Sequence, residues 1–304
     1  MVENYERDIL PKLWKKQKEM ANLLLDICRE RGLKVWAGYG TLLGCVRHKG
    51  FIPWDDDMDF VMMRDDFDLL RKMISEGLVH ASKKSPISFD IDRQEVIKLR
   101  YNGTSMVIPH FKLNTKINQS VWIDVFCLND VPVVSKEFEK HYQDLRKLLR
   151  IEANAHHLNF ASAKGPVGKI WHLFCILFVS IFGLGFIRKR VKHILDLASK
   201  NSSGMVANVM LYARTEKGVK YEKIKKYEKE WFRETKFLPF DEMNLPCPVC
   251  YDNVLKEEYG DYMTPVKNNS FHGDTYIDLS NPFEKEINKR LFEIPRWKRY
   301  FYTH

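Results

Sequence analysis

Residues 51–63 read Phe51-Ile52-Pro53-Trp54-Asp55-Asp56-Asp57-Met58-Asp59-Phe60-Val61-Met62-Met63. Four aspartates fall within five positions, and they repel one another unless something positive sits among them. For most acidic runs a solvated loop is the ordinary account. Here apolar residues bracket the run, Phe51, Ile52 and Trp54 before it and Met58, Phe60 and Val61 after it. Phe60 to Met63 has the composition of a buried strand. Alternation along that strand puts Asp57 and Asp59 on one face. Two carboxylates side by side on a half-buried strand are costly without a cation. Hard oxygen ligands of this kind suit Mg2+ or Mn2+, which keep part of their water shell and take phosphate oxygens as further ligands.

Upstream, residues 3–30 read as a helix. Leu10, Leu13, Trp14, Gln17, Met20, Ala21, Leu24, Ile27 and Cys28 recur at spacings of three and four, and Arg31-Gly32 marks its stop. A short strand, Lys34 to Ala37, leads into Gly38-Tyr39-Gly40 and a brief helix over Thr41–Arg47. Pro53 bars the helix from continuing, because the residue before a proline disfavours the helical region. A strand feeding a helix start leaves backbone N–H groups that can bind phosphate at Gly40 and Thr41. Arg47 and His48 can neutralise phosphate charge, or be ordinary solvated surface.

Downstream, Asp65 or Asp66 can cap a helix carrying Phe67, Leu70, Met73 and Ile74. Residues 87–92 and 95–101 resemble a hairpin, and Val121 to Phe126 a further strand. Asp124 lies in that strand between Ile123 and Val125, where a charge needs a partner. A salt bridge to a buried arginine accounts for it alone; beside Asp57 and Asp59 it becomes a third metal-binding carboxylate. Residues 135–157 form a long amphipathic helix. Ile170 to Ile187 is nearly all apolar, with Lys164 and Lys169 before it and Arg188, Lys189, Arg190 and Lys192 after it. It reads as a buried core helix or as one lying on a membrane, and it is short for a span of about 20 residues. The remainder is mixed, with turn signals at Leu238-Pro239, at Leu245 to Pro248 and at Tyr259 to Asp261.

The composition sets outer bounds. Of 304 residues 45% are hydrophobic, an ordinary figure for a folded globule, and the net charge of +9 suits an anionic partner. No zinc-finger, homeodomain or RNP-type pattern is present, and strand aspartates repel a polyanion, so nucleic acid is not an expected partner. Six scattered cysteines read as reduced thiols of a cytoplasm. Cys247-Pro248-Val249-Cys250 supplies half of a zinc site, which His272 could join. The first residues are polar, and export by a signal peptide is not expected.

Gly40-Thr41-Leu42-Leu43-Gly44, then Arg47-His48, then Phe51 to Asp59 closely resembles the signature of the LicD family. The resemblance continues at Trp122 to Phe126, and again at Tyr259-Gly260-Asp261-Tyr262-Met263 and Pro265, with His272 downstream. Residues 130–235 match no motif. The resemblance implies an α/β (α+β) fold: a nucleotidyltransferase-like mixed sheet with flanking helices, plus a helical, aromatic-rich C-terminal region. Residues 1–165 would be the catalytic core, 166–200 the apolar segment, and 201–304 a region completing the substrate site. It further implies that Gly40 and Thr41 contact phosphate, that Asp57 and Asp59 hold metal, and that Asp124 is the third carboxylate. Arg47 would steady the phosphate. The implied reaction is transfer of phosphocholine, or another phosphate-linked group, from a CDP-activated donor to a cell-surface glycan. An acceptor linked to lipid would place the chain at the inner face of a bacterial membrane, with contact through 170–187. Transfer of glycerol or ribitol phosphate, and true nucleotidyl transfer with loss of pyrophosphate, are rivals that use the same carboxylates.

Overall fold

The computed structural model describes residues 5–81, 84–91, 93–133, 136–210, 225–266 and 275–304. After a π-helical turn at Tyr5–Ile9, helix α1 (Leu10–Arg31) buries Leu10, Leu13, Gln17, Met20, Ala21, Leu24, Ile27 and Cys28 and closes on Gly32. That is the stripe and the stop read from the spacing. Strand β1 (Trp36–Ala37) leads through Gly38 into α2 (Tyr39–Arg47). An irregular segment then carries the acidic run into β2 (Asp59–Met63). In α3 (Arg64–Ser75) Met63 is the N-cap residue, and Asp65 and Asp66 sit inside the first turn, where their charge complements the helix dipole.

The expected hairpin is β3 (Ile87–Asp90) and β4 (Val96–Tyr101), followed by β5 (Ser105–Val107) and the long strand β6 (Val121–Pro132). Helices α4 (Lys136–His156) and α5 (Gly165–Lys200) come next, then β7 (Ser202–Ala207) and β8 (Tyr227–Glu228). The chain continues as β9 (Thr235–Phe240), β10 (Met243–Pro248), α6 (Tyr251–Tyr259), β11 (Tyr276–Asp278), α7 (Phe283–Glu293) and α8 (Arg296–Thr303).

The main sheet is mixed, in the order β1-β2-β6-β4-β3, with β7 and β8 extending it from the far end of β6. The pair β2–β6 is parallel and the other pairings are antiparallel. The centre of β6 is buried on both faces. Phe60, Ile123 and Val125 share one core with Leu13 and Leu24 of α1. Phe240, Leu245, Leu255 and Tyr262 join that same core, so the C-terminal third is packed against the acidic loop.

Two turn signals from the sequence lie inside strands. Pro239 pairs with Asn244, and Pro246 with Phe237, in the two-stranded ribbon β9–β10. Each strand of a ribbon has an open edge, where a proline's missing N–H costs no ladder bond. The Cys-x-x-Cys motif is divided as well. Cys247 is buried beside Cys45, whose thiol is pushed up by a hydrogen bond with Cys247 and then by burial, while Cys250 precedes α6. His272 lies outside the described residues.

Helix α5 is not a core helix over its apolar length. Its most apolar stretch of 18 residues is only 17% buried. Gly183, at φ 74° and ψ 157°, breaks the helix into two arms, a backbone state that glycine adopts without strain.

Candidate active site

The parallel register of β2 and β6 sets Asp59 opposite Asp124. On the other side of β6, Lys98 is opposite Asp124, and beyond it Asp90 is opposite Lys98. Residues opposite one another share a face, so these four charges form one row across the sheet. Asp124 accepts from Lys98 Nζ at 2.5 Å and from the Trp122 indole N–H at 3.0 Å. The ion-pair partner of Asp124 is therefore a lysine, not the arginine considered from sequence. Lys98 was legible by the rule that singled out Asp124, a charge inside an apolar strand, and was not identified from the sequence.

The acidic loop is held from three sides. From α1, Trp14 Nε1 donates to the Asp55 carbonyl and Gln17 Nε2 to the Asp56 carbonyl, each at 2.8 Å. The Phe51 ring stacks on Trp14 at 4.8 Å and meets Phe240 of β9 edge-on. From α2, the buried Thr41 hydroxyl accepts the Asp59 backbone N–H at 2.8 Å. Thr41 thus fixes the first residue of β2. Gly40 lies so close to Asp55 that a Cβ there would stand 2.6 Å from its Oδ2. The glycine turn therefore serves the carboxylates directly.

Asp55, Asp56 and Asp57 bring carboxylate oxygens within 4.8 Å of one another. Burial and then the charges of Asp57 and Asp56 push the Asp55 carboxyl up to about 8. Asp59 is raised well above the usual carboxylate range, first by burial and then by Asp57, Asp124 and Asp55. Like charges packed this closely in a dry place are what a divalent cation relieves, and every donor is a hard oxygen. The residues present fit Mg2+ or Mn2+.

The C-terminal third packs beside these residues. Arg47 Nη1 donates to the Tyr262 carbonyl at 2.8 Å, and Arg47 Nε to His48 Nδ1 at 3.4 Å. The Arg47-His48 pair and the distant Tyr259–Met263 motif thereby meet. The Tyr259 hydroxyl is raised by burial, then by Glu258 and by Asp59, Asp55 and Asp57. Tyr227 donates to Glu258 at 2.5 Å, and Asn208 donates to the Tyr39 hydroxyl at 2.8 Å. Tyr39 was read only as part of the glycine turn, and Asn208, Tyr227 and Glu258 have no local pattern that ties them to aspartates so far along the chain.

Beside Lys98 the same sheet face opens into a recess lined by Arg93, Arg100, Phe111 and His157. The His157 imidazole is pushed well below its usual value by burial and then by Arg93, and its Nε2 has no hydrogen-bond partner among the described residues.

Residues 32–156 match the family described as LicD/FKTN/FKRP, nucleotidyltransferase domain. The chain is 29% identical over 144 residues to the lipopolysaccharide cholinephosphotransferase LicD of Haemophilus influenzae, covering 45% of this chain and 48% of the relative. Uncharacterized proteins of Rickettsia prowazekii and Rickettsia typhi are each 46% identical over 41 residues, 14% of this chain and 15% and 13% of theirs. The chain thus matches about half or less of the length of these relatives.

Proposed function

We propose, from the match of residues 32–156 to the LicD family, that the chain transfers phosphocholine from CDP-choline to a glycan hydroxyl, releasing CMP. The acceptor is a cell-surface glycan or its lipid-linked precursor, met at the cytoplasmic face of a bacterial membrane. One observation carries the reading: Asp59 and Asp124 are register partners, with the Asp55–Asp57 carboxylates immediately ahead of them. The choice of headgroup follows the relative from Haemophilus influenzae, whose name states cholinephosphotransfer.

Asp57 and Asp59 would hold a magnesium or manganese ion, with Asp124 as third carboxylate. Bound there, such an ion polarises a phosphoryl oxygen and offsets charge on a leaving nucleotide. The chain's own residues supply the rest. Backbone N–H groups of Gly40 and Thr41 at the start of α2 face the anionic end of the donor. Arg47 adds positive charge there, and His48, lowered by burial and by Arg47, stands beside it as a neutral imidazole. Lys98 and Trp122 hold Asp124 in one orientation, so that it can accept the proton of the attacking hydroxyl. The glycan oxygen forms the new bond to phosphorus, the bond from phosphorus to the CMP oxygen breaks, and CMP leaves with that electron pair.

The test uses CDP-choline, CDP-glycerol and CDP-ribitol, each with magnesium or manganese, in a thermal-shift screen followed by product analysis. CDP-choline should stabilise most, and CMP should appear. Pyrophosphate as the leaving group would make the chain a nucleotidyltransferase. A larger shift with CDP-glycerol or CDP-ribitol would reassign the headgroup to an alditol phosphate.

A further inference from the structure

We propose that the first arm of α5, together with α8, docks the chain on an anionic lipid bilayer, lying in its interface and not crossing it. The surface stands independently of the donor and acceptor chemistry. It begins with an imbalance along α5. Beyond Gly183 the second arm buries Ile187, Val191, Ile194, Leu195 and Ala198 against Tyr142, Leu145 and Leu149 of α4. Before Gly183 only His172 and Cys175 are buried. Ile170, Leu177 and Ile181 are 67%, 59% and 66% exposed, and Phe174, Phe182 and Phe186 join them at the surface. An apolar strip of this length has no partner among the described residues, and contiguous apolar surface of this kind marks an interaction face.

Helix α8 extends the strip. The Phe301 ring stacks on Phe160 at 5.3 Å, and His172 Nε2 lies 3.0 Å from the backbone oxygen of His304. These contacts hold α8 beside the first arm, with Trp297 71% and Tyr300 53% exposed. Tryptophan and tyrosine with an apolar body and a polar edge are the side chains that settle at the headgroup level.

The rim decides the occupant. Lys164 and Lys169 stand exposed at the start of the arm, Lys189 and Arg190 just past its end on the second arm, and Arg296 and Lys298 on α8. A second copy placed on the strip would bring cationic ends against cationic ends, since both ends carry the same sign. Anionic headgroups pair with such a rim while the acyl region takes the apolar strip.

The fold also excludes a simple span. Helix α4, before the arm, and the second arm, after it, share one core. Both ends of the arm therefore lie on the same side. Its 18 residues reach only about 27 Å, against about 30 Å of hydrocarbon.

Sedimentation of the full chain with vesicles tests the proposal, using phosphatidylcholine alone and equal parts of phosphatidylcholine and phosphatidylglycerol. The chain should pellet with the mixed vesicles and remain largely in solution with phosphatidylcholine alone. The double variant L177E/I181E should weaken binding by about tenfold or more, and Trp297→Ala by several-fold. These positions are solvent-exposed, so both variants should keep the wild-type melting curve. Bromine-labelled lipid should quench tryptophan emission less in Trp297→Phe than in the wild type. Three results overturn the proposal: a wild-type chain that ignores mixed vesicles, variants that pellet like the wild type, or a soluble dimer that L177E/I181E converts to monomer.

Discussion

Asp59 and Asp124 face each other across the parallel pair β2–β6, and Lys98 approaches Asp124 from the opposite strand. The row thus carries carboxylates at the acidic loop and a single cation, Lys98, set between Asp124 and Asp90. Asp124 stands at the boundary, sharing a lysine while neighbouring an aspartate that is raised by burial and by its neighbours. On the proposed mechanism this sets a proton acceptor beside the cation site without adding it to the tightest cluster.

Replacing Asp59 by asparagine should separate stability from activity. The Asp59 carboxyl is raised in the folded chain, so its ionised form opposes folding above the unfolded value of 3.8. Without dication, Asp59→Asn should therefore melt higher than the wild type at neutral pH, an advantage that disappears in strong acid. Turnover should fall by about a thousandfold, the equivalent of about 4 kcal/mol of transition-state stabilisation. Near-normal turnover in this variant would remove the basis of the mechanism.

Thr41→Val should cost about 1–3 kcal/mol, because the Asp59 N–H would be left buried without an acceptor. Thr41→Ser keeps the hydroxyl and should recover most of that loss. Denaturant unfolding of the two variants gives the comparison; equal stabilities would mean that the hydroxyl does not secure β2.

Gly40→Ala adds a Cβ 2.6 Å from Asp55 Oδ2, so the Asp55 side chain must move. Alanine is the better helix former by about 0.5–1 kcal/mol, which offsets part of the crowding. Melting temperature should change little while turnover drops by about ten- to a hundredfold, the scale of a small misplacement at a reacting centre. Titration with manganese should show a weaker apparent affinity in the variant.

His157 links stability to pH away from the carboxylates. Its folded value is pushed well below 6.5 by burial and by Arg93, His156, Arg100 and Lys98. Below pH 6.5 the unfolded chain binds a proton that the folded chain refuses, so stability falls as pH drops through that value. His157→Gln should flatten this decline between about pH 6.5 and 5, measured by urea unfolding. An unchanged slope would show that His157 takes up its proton without opening the recess.

Much of this architecture was legible before any coordinates. The Leu10–Cys28 periodicity specifies α1, and the apolar run after the aspartates specifies a strand; that strand begins at Asp59, so Asp57, expected on it, lies in the irregular segment before it. The exposed apolar arm of α5 was half legible. Its composition allowed either a core or a surface helix, and only the neighbours it meets could choose between them.

Local sequence therefore determined which residues are chemical: the glycine turn, the aspartates and the charge at Asp124 inside an apolar strand. Tertiary structure alone decided their company. Lys98 faces Asp124 through strand register, and Arg47 reaches Tyr262 through the packing of the C-terminal third. Gly183 turns one arm of α5 into the core and leaves the other outside. The physical reason is range: helix and strand periodicities act over a few residues, whereas pairing partners and burial depend on where distant segments of the chain come to rest.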